Sequence, residues 1–130
     1  MVWAQTILLA VVGNLLLRMG ALTIFDIPPE FPPLAMPGPT IFFSVIGVGA
    51  WLAVALLVGR SAAEPVRSFR RIAIAALLVS LVPDLWMLTD AAAEAFPGAT
   101  LSAVVTLMLE HVLTAVVVVV WMLTVRAPRA

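Results

Sequence analysis

"TIFFSVIGVGAWLAVALLV", residues 40–58, contains no charged residue. A membrane-crossing helix needs about 20 mostly apolar residues, so this run reads as a span. Working outward, three more segments have the same character: about 2–22, 72–89 and 101–125. Residues 2–17, 31–59 and 112–125 carry no charge, whereas the first, third and fourth segments each hold charge inside. The expected fold class is all-α: one four-span transmembrane domain over residues 1–130, a four-helix bundle in the membrane.

Composition agrees. The chain is 64% hydrophobic and 11% charged, with a mean hydropathy of +1.19. Soluble domains average about 45–50% apolar and about 25% charged, so there is too little polar surface here for a water-soluble ball. The net charge is zero, which argues against nucleic acid as a partner. No Cys is present, which excludes disulfides, thiolate metal sites and thiol redox chemistry. All seven basic residues are Arg. With the richness in Ala and Val, that suggests a GC-rich bacterial genome. No Lys or Arg precedes Arg18 and no A-x-A follows the first apolar run, so that segment reads as a retained helix rather than a signal peptide.

The connections set the orientation. "RSAAEPVRSFRR", 60–71, carries four Arg, and "RAPRA", 126–130, carries two more. "FDIPPEFPPLAMPGP", 25–39, and "DAAAEAFPGAT", 90–100, each carry two acids and no base. Four spans put the Arg-rich segments on one side, so both termini are expected in the cytoplasm and the protein in a bacterial inner (plasma) membrane. The proline-rich connection is expected to be non-helical, because each Pro lacks an N–H and biases its predecessor toward extended backbone. It serves as an interfacial spacer or as a lid over the bundle mouth. The sequence shows no internal repeat.

"LLVSLVPDLWML", 77–88, places Asp84 inside an apolar segment directly after Pro83. A charge at the centre of a span costs about 2.5–3.5 kcal/mol on insertion scales and marks a functional site by default. Counted from the outer ends of their spans, Arg18, Asp84, Glu110 and His111 all fall in the outer half of the bilayer. These four form the candidate acid–base set: Asp84, Glu110 and His111 to move protons, Arg18 to hold an anion or tune the carboxylates. Asn14 shares a face with Arg18, and Ser80 with Asp84. Ser102, Thr106, Glu110 and Thr114 make a stripe at four-residue spacing. Asn14, Ser80, Trp86, Thr106, Thr114 and Trp51 are the candidate ligand-binding residues. Each has a plainer role: an ion pair holding the bundle, hydroxyls bonding their own helix, an interfacial Trp belt for Trp3 and Trp86. Ser44, Gly47, Gly49 and Ala50 read as a close-packing face.

No phosphate-binding, dinucleotide-binding or nucleophile-elbow motif occurs. One His without Cys argues against zinc, and no cofactor is called for. The motifs "RMGALTIFDIPPEFPPL", "LLVSLVPDL" and "LMLEHVLTAVVVV" resemble those of small four-span bacterial membrane proteins of the DUF6069 type, common in actinobacteria. Similar proteins often carry Met-His where this chain has Glu110-His111. The resemblance implies the four-span fold and no particular activity.

Three functions fit. The first is a small integral membrane protein whose polar site binds a lipophilic small molecule. As an enzyme it would be a cofactor-independent isomerase, cyclase or epoxide hydrolase. The second is a proton-coupled exporter, which with four short spans needs a homodimer; the one-sided depth of the cluster weighs against it. The third is a structural or accessory membrane subunit.

Overall fold

The computed structural model describes residues 2–126, with side chains from Trp3 to Trp121; Arg129 of the basic tail lies outside the described residues. Four long helices carry the fold: α1 (Val2–Ile24), α3 (Pro37–Ser61), α4 (Pro65–Trp86) and α5 (Leu101–Arg126). A one-turn helix, α2 (Pro32–Ala35), lies in the proline-rich connection, and a 3₁₀ turn, Asp90–Ala92, in the last one. No strand occurs among the described residues.

The helices form an up-down bundle in which α3 and α5 each touch every other long helix, while α1 and α4 occupy opposite corners. A three-residue connector between α3 and α4 enforces an antiparallel pair. The α3–α4 turn therefore lies at the end where α1 begins and α5 finishes. Two longer loops, 25–36 and 87–100, meet at the other end.

Helix starts follow local chemistry. Pro37 and Pro65 open α3 and α4, where a missing N–H is no loss and the fixed φ suits the helix. Thr100 caps α5: its Oγ1 accepts from the Ala103 N–H at 3.3 Å, satisfying one of the unpaired first-turn donors. The sequence-expected limits shift accordingly. Helix α3 begins at Pro37, three residues before the expected start at Thr40, and helix α4 runs from Pro65 to Trp86 where a span was expected over 72–89. The proline connection is not wholly non-helical either. Pro32 and Pro33 occupy the first turn of α2, the one place in a helix that tolerates them.

The bundle's interior is smaller and more polar than its surface. Ala10, Ala55, Ala73, Ala103 and Ala115 are buried together with Thr6, Asn14, Ser44, Thr106 and Thr114. Leu8, Leu16, Phe43, Leu57, Leu78 and Val79 are each more than 60% exposed. Water-soluble monomers rarely display apolar surface on this scale, and small interior residues are how helices approach one another in lipid. Among the described residues, three helices are long and apolar enough to cross a membrane, within Trp3–Ile24, Pro37–Ser61 and Leu101–Trp121. They fit a membrane protein. α4 differs: each 18-residue window of it contains at least three of Arg67, Arg70, Arg71 and Asp84.

The loop end is closed by side chains. Ile27, Phe31 and Leu34 pack on Ala21 of α1 and on Ala103 and Leu107 of α5, with Met87, Phe96 and Ala99 against them. Phe31 is wholly buried and Leu34 nearly so. The proline connection is thus a packed cap rather than a spacer. Gly98 locks the two loops together. Its φ of +76° lies in the left-handed region, and a Cβ there would come within 2.9 Å of Pro28 Cβ and 3.1 Å of Glu30 Cγ.

Candidate functional site

The polar residues of α1, α3, α4 and α5 meet in one layer. Its lower tier centres on Asn14, whose Nδ2 donates to Ser44 Oγ and to Thr114 Oγ1, both at 2.8 Å. Ser44 Oγ in turn donates to the Thr40 carbonyl at 2.6 Å. With its one proton so engaged, Ser44 can only accept from Asn14, which fixes the orientation of the amide. Asn14 is buried, and its Oδ1 has no hydrogen-bond partner. The upper tier is one turn nearer the loop end. There Thr40 Oγ1 donates to Glu110 Oε1 across a long 3.4 Å.

Asp84 and His111 complete the upper tier. His111 Nδ1 lies 2.9 Å from the Leu107 carbonyl and 3.1 Å from Asp84 Oδ2. A carbonyl only accepts, so Nδ1 carries the hydrogen. One N–H cannot align with both oxygens, and its line favours the carbonyl. Asp84 Oδ2 is therefore beside the imidazole with no well-aligned donor, a charge-stabilised contact rather than a full hydrogen bond. Asp84 is 3% exposed, whereas neighbouring Pro83 is on the outer face of α4. Adjacent helical residues point about 100° apart, which is how an acid can follow an outward proline and still face inward.

The layer opens into a cleft of about 330 Å³ between α3, α4 and α5. Glu110, His111, Thr40, Ser44, Ser80 and Thr114 supply its polar wall, and Phe43, Ile46, Trp51 and Leu77 its apolar one. Phe43, Ile46, Ala50 and Ala76 on its rim are exposed, so the mouth lies on the bundle's flank between α3 and α4. Trp51 is steadied edge-on against Phe69, with ring centroids 6.1 Å apart.

The sequence-expected set divides three ways. Glu110, His111, Ser80, Thr114 and Trp51 line the cleft. Asn14 and Asp84 stand behind it, bonded to or touching residues that line it. Arg18, Trp86 and Thr106 lie elsewhere. Arg18 pairs with no carboxylate; among the described residues the ion pairs are Arg67–Glu64 and His111–Asp84. Its Nε and Nη2 instead donate to the Leu34 carbonyl at 3.2 and 2.7 Å. That carbonyl ends the single turn of α2 and has no partner within so short a helix, so Arg18 ties the cap to α1. Trp86 meets Phe96 edge-to-face at 6.0 Å near the loop end. Thr106 Oγ1 donates to the Ser102 carbonyl of its own helix at 2.8 Å, and Ser80 Oγ likewise to Leu77 at 2.7 Å.

Two polar lining residues escaped the sequence reading, Thr40, placed at a span edge, and Ser44, assigned to packing, as did the apolar wall of Phe43, Ile46 and Leu77. The four-residue spacing of Thr40 and Ser44 matches the other polar stripes and is the signal that marks them. Of that expected packing face, a Cβ at Gly47 would touch the Thr114 methyl at 3.7 Å, but one at Gly49 would meet no other side chain within 4 Å and Ala50 is exposed. Among the described residues no group of three His, Cys, Asp or Glu side chains could hold a metal ion. Comparison with protein-family models, curated proteins and solved structures finds no match, so the likeness to the DUF6069 type rests on its three motifs.

Proposed function

We propose that the chain is a four-span protein of a bacterial inner membrane, with both termini cytoplasmic, whose flank cleft binds a lipophilic small molecule bearing a polar group. One observation carries this: the cleft joins a carboxyl and an imidazole to an apolar wall, and its mouth opens through the greasy side of the bundle rather than through either end. A ligand dissolved in lipid would enter between α3 and α4, lay its apolar part on Phe43, Ile46 and Trp51, and present its polar part to Glu110, His111 and the hydroxyls. Such a mixture of mostly apolar lining and few convergent polar groups is the usual make-up of a small-molecule site.

The same groups support acid–base work. With Nδ1–H held by Leu107, Nε2 is the nitrogen of His111 left to take up or release a proton. Glu110, when protonated, can donate one. Proton removal at one atom and delivery at another is the requirement of isomerisation, cyclisation and epoxide opening alike. Asp84 is a positioning residue, holding the imidazole from behind.

The test is native mass spectrometry of the protein purified from its host in mild detergent. A lipophile retained by wild type and lost by Glu110→Gln and His111→Leu, but kept by the outward-facing Val79→Ala, supports the assignment. Undiminished retention in both cleft variants, or no retained small molecule in wild type, overturns it.

A further inference from the structure

A second cavity lies between α4 and α5, nearer the Arg-rich end of α4 than the polar layer, and adjoins the cleft only at Leu77. We propose that it is a binding groove for one acyl chain of an anionic phospholipid, with the lipid phosphate on Arg70. The groove measures about 220 Å³. Its floor is made by Ala73 and Ala115, both buried, and its banks by Ile74, Val116 and Val120, each more than half exposed. Two alanines facing each other at the contact line leave a furrow where larger side chains would fill it.

One end of the furrow holds Arg70, and the charge there is unbalanced. Residues 60–71 contain four Arg and a single acid, Glu64. Glu64 is engaged at 3.2 Å by Arg67. Among the described residues no carboxylate comes within 4.0 Å of Arg70, and its side chain is exposed. An apolar furrow ending in an unpaired guanidinium is complementary to a chain ending in a phosphate. Arg presents a planar fork of donors that suits phosphate oxygens, and basic pockets between helices on the cytoplasmic side recognise anionic headgroups in this way. The furrow needs the chain to be in a bilayer but does not depend on the chemistry assigned to the cleft.

The experiment begins with an alkaline wash of host membranes, which must leave the protein in the pellet. Release into the wash overturns membrane insertion, and the furrow with it. Protein in nanodiscs of equal parts phosphatidylglycerol and phosphatidylcholine is then ejected and stripped stepwise in native mass spectrometry. Wild type should retain one phosphatidylglycerol in preference to phosphatidylcholine. Arg70→Gln should weaken that retention roughly five-fold, the equivalent of one surface cation facing an anionic lipid. Ile74→Trp, which fills the furrow from its exposed bank, should abolish it, while Arg71→Gln should leave it. Equal losses in Arg70→Gln and Arg71→Gln, or retention in Ile74→Trp, would show only diffuse attraction to a basic rim and overturn the site. Neither result bears on the cleft.

Discussion

Replace His111 by Leu, and Asp84 loses the imidazole 3.1 Å from its Oδ2 while remaining sealed in the bundle. The Asp84 side chain is 4% exposed and that of His111 41%, so the two partners face very different alternatives. A buried acid left without its partner costs about 3–5 kcal/mol. Leu is close to His in size, so packing adds less than about 1.5 kcal/mol. Replace Asp84 by Asn instead, and the charge disappears from an isosteric side chain while His111 keeps its 2.9 Å bond to the Leu107 carbonyl. That loss should stay below about 1.5 kcal/mol, the usual range for a single hydrogen bond. His111→Leu should therefore be the costlier change by about 2–4 kcal/mol. In the double variant the stranded charge is gone, so its loss should return close to that of Asp84→Asn alone, a coupling of about 3–5 kcal/mol. Unfolding by sodium dodecyl sulfate in mixed micelles, followed through the four tryptophans, measures all three. Equal losses for the single variants, or a double variant equal to their sum, would refute the idea that His111 relieves a buried charge.

Gly98→Ala should destabilise by roughly 2–4 kcal/mol, combining left-handed backbone strain with a Cβ 2.9 Å from Pro28 Cβ. Gly49→Ala, at a helical site with nothing within 4 Å, should cost nothing or gain about 0.5–1 kcal/mol; both are read in the same micelle titration. Phe31→Ala should lose about 3–5 kcal/mol as a wholly buried aromatic. Arg18→Gln should free the cap from α1 and make residues 25–36 cleavable by added protease, whereas Val12→Gln on the exposed side of α1 should not. Single cysteines at Ser61 and Ala93 should react with an impermeant maleimide from opposite sides of the membrane, Ala93 in intact cells and Ser61 only after lysis. The reverse pattern would overturn the orientation.

Periodicity made the inward faces legible. Four-residue spacing placed Thr106, Glu110 and Thr114 on one side of α5, and all three are buried. It could not reveal partners. Arg18 was matched against carboxylates because side chains are what a sequence displays, yet its acceptor is a main-chain carbonyl made available by a one-turn helix. The prolines misled in the same way. Their number in 25–39 argues for extended backbone, and only their registration at first-turn positions of α2 and α3 shows why two helices begin there. Helix α4 was shortened to its apolar part, 72–89, because charge marks where lipid ends, whereas backbone hydrogen bonding continues through Arg67, Arg70 and Arg71. Spans and helices are different objects, and hydropathy reports only the first.

The brevity of α4's apolar part has its own consequence. Because Asp84 faces inward, the outward apolar face of the helix runs from Ile72 to its end at Trp86, fifteen residues, about 22 Å of helix, against a hydrocarbon depth of about 30 Å. In the proposed membrane setting, lipid meeting that flank would have to thin, or the arginines would stretch toward the headgroups. The cleft mouth and the Ala73–Ala115 furrow both border α4, so in the proposed membrane setting both openings would face thinned lipid, where an amphiphile's polar end has less distance to travel from water.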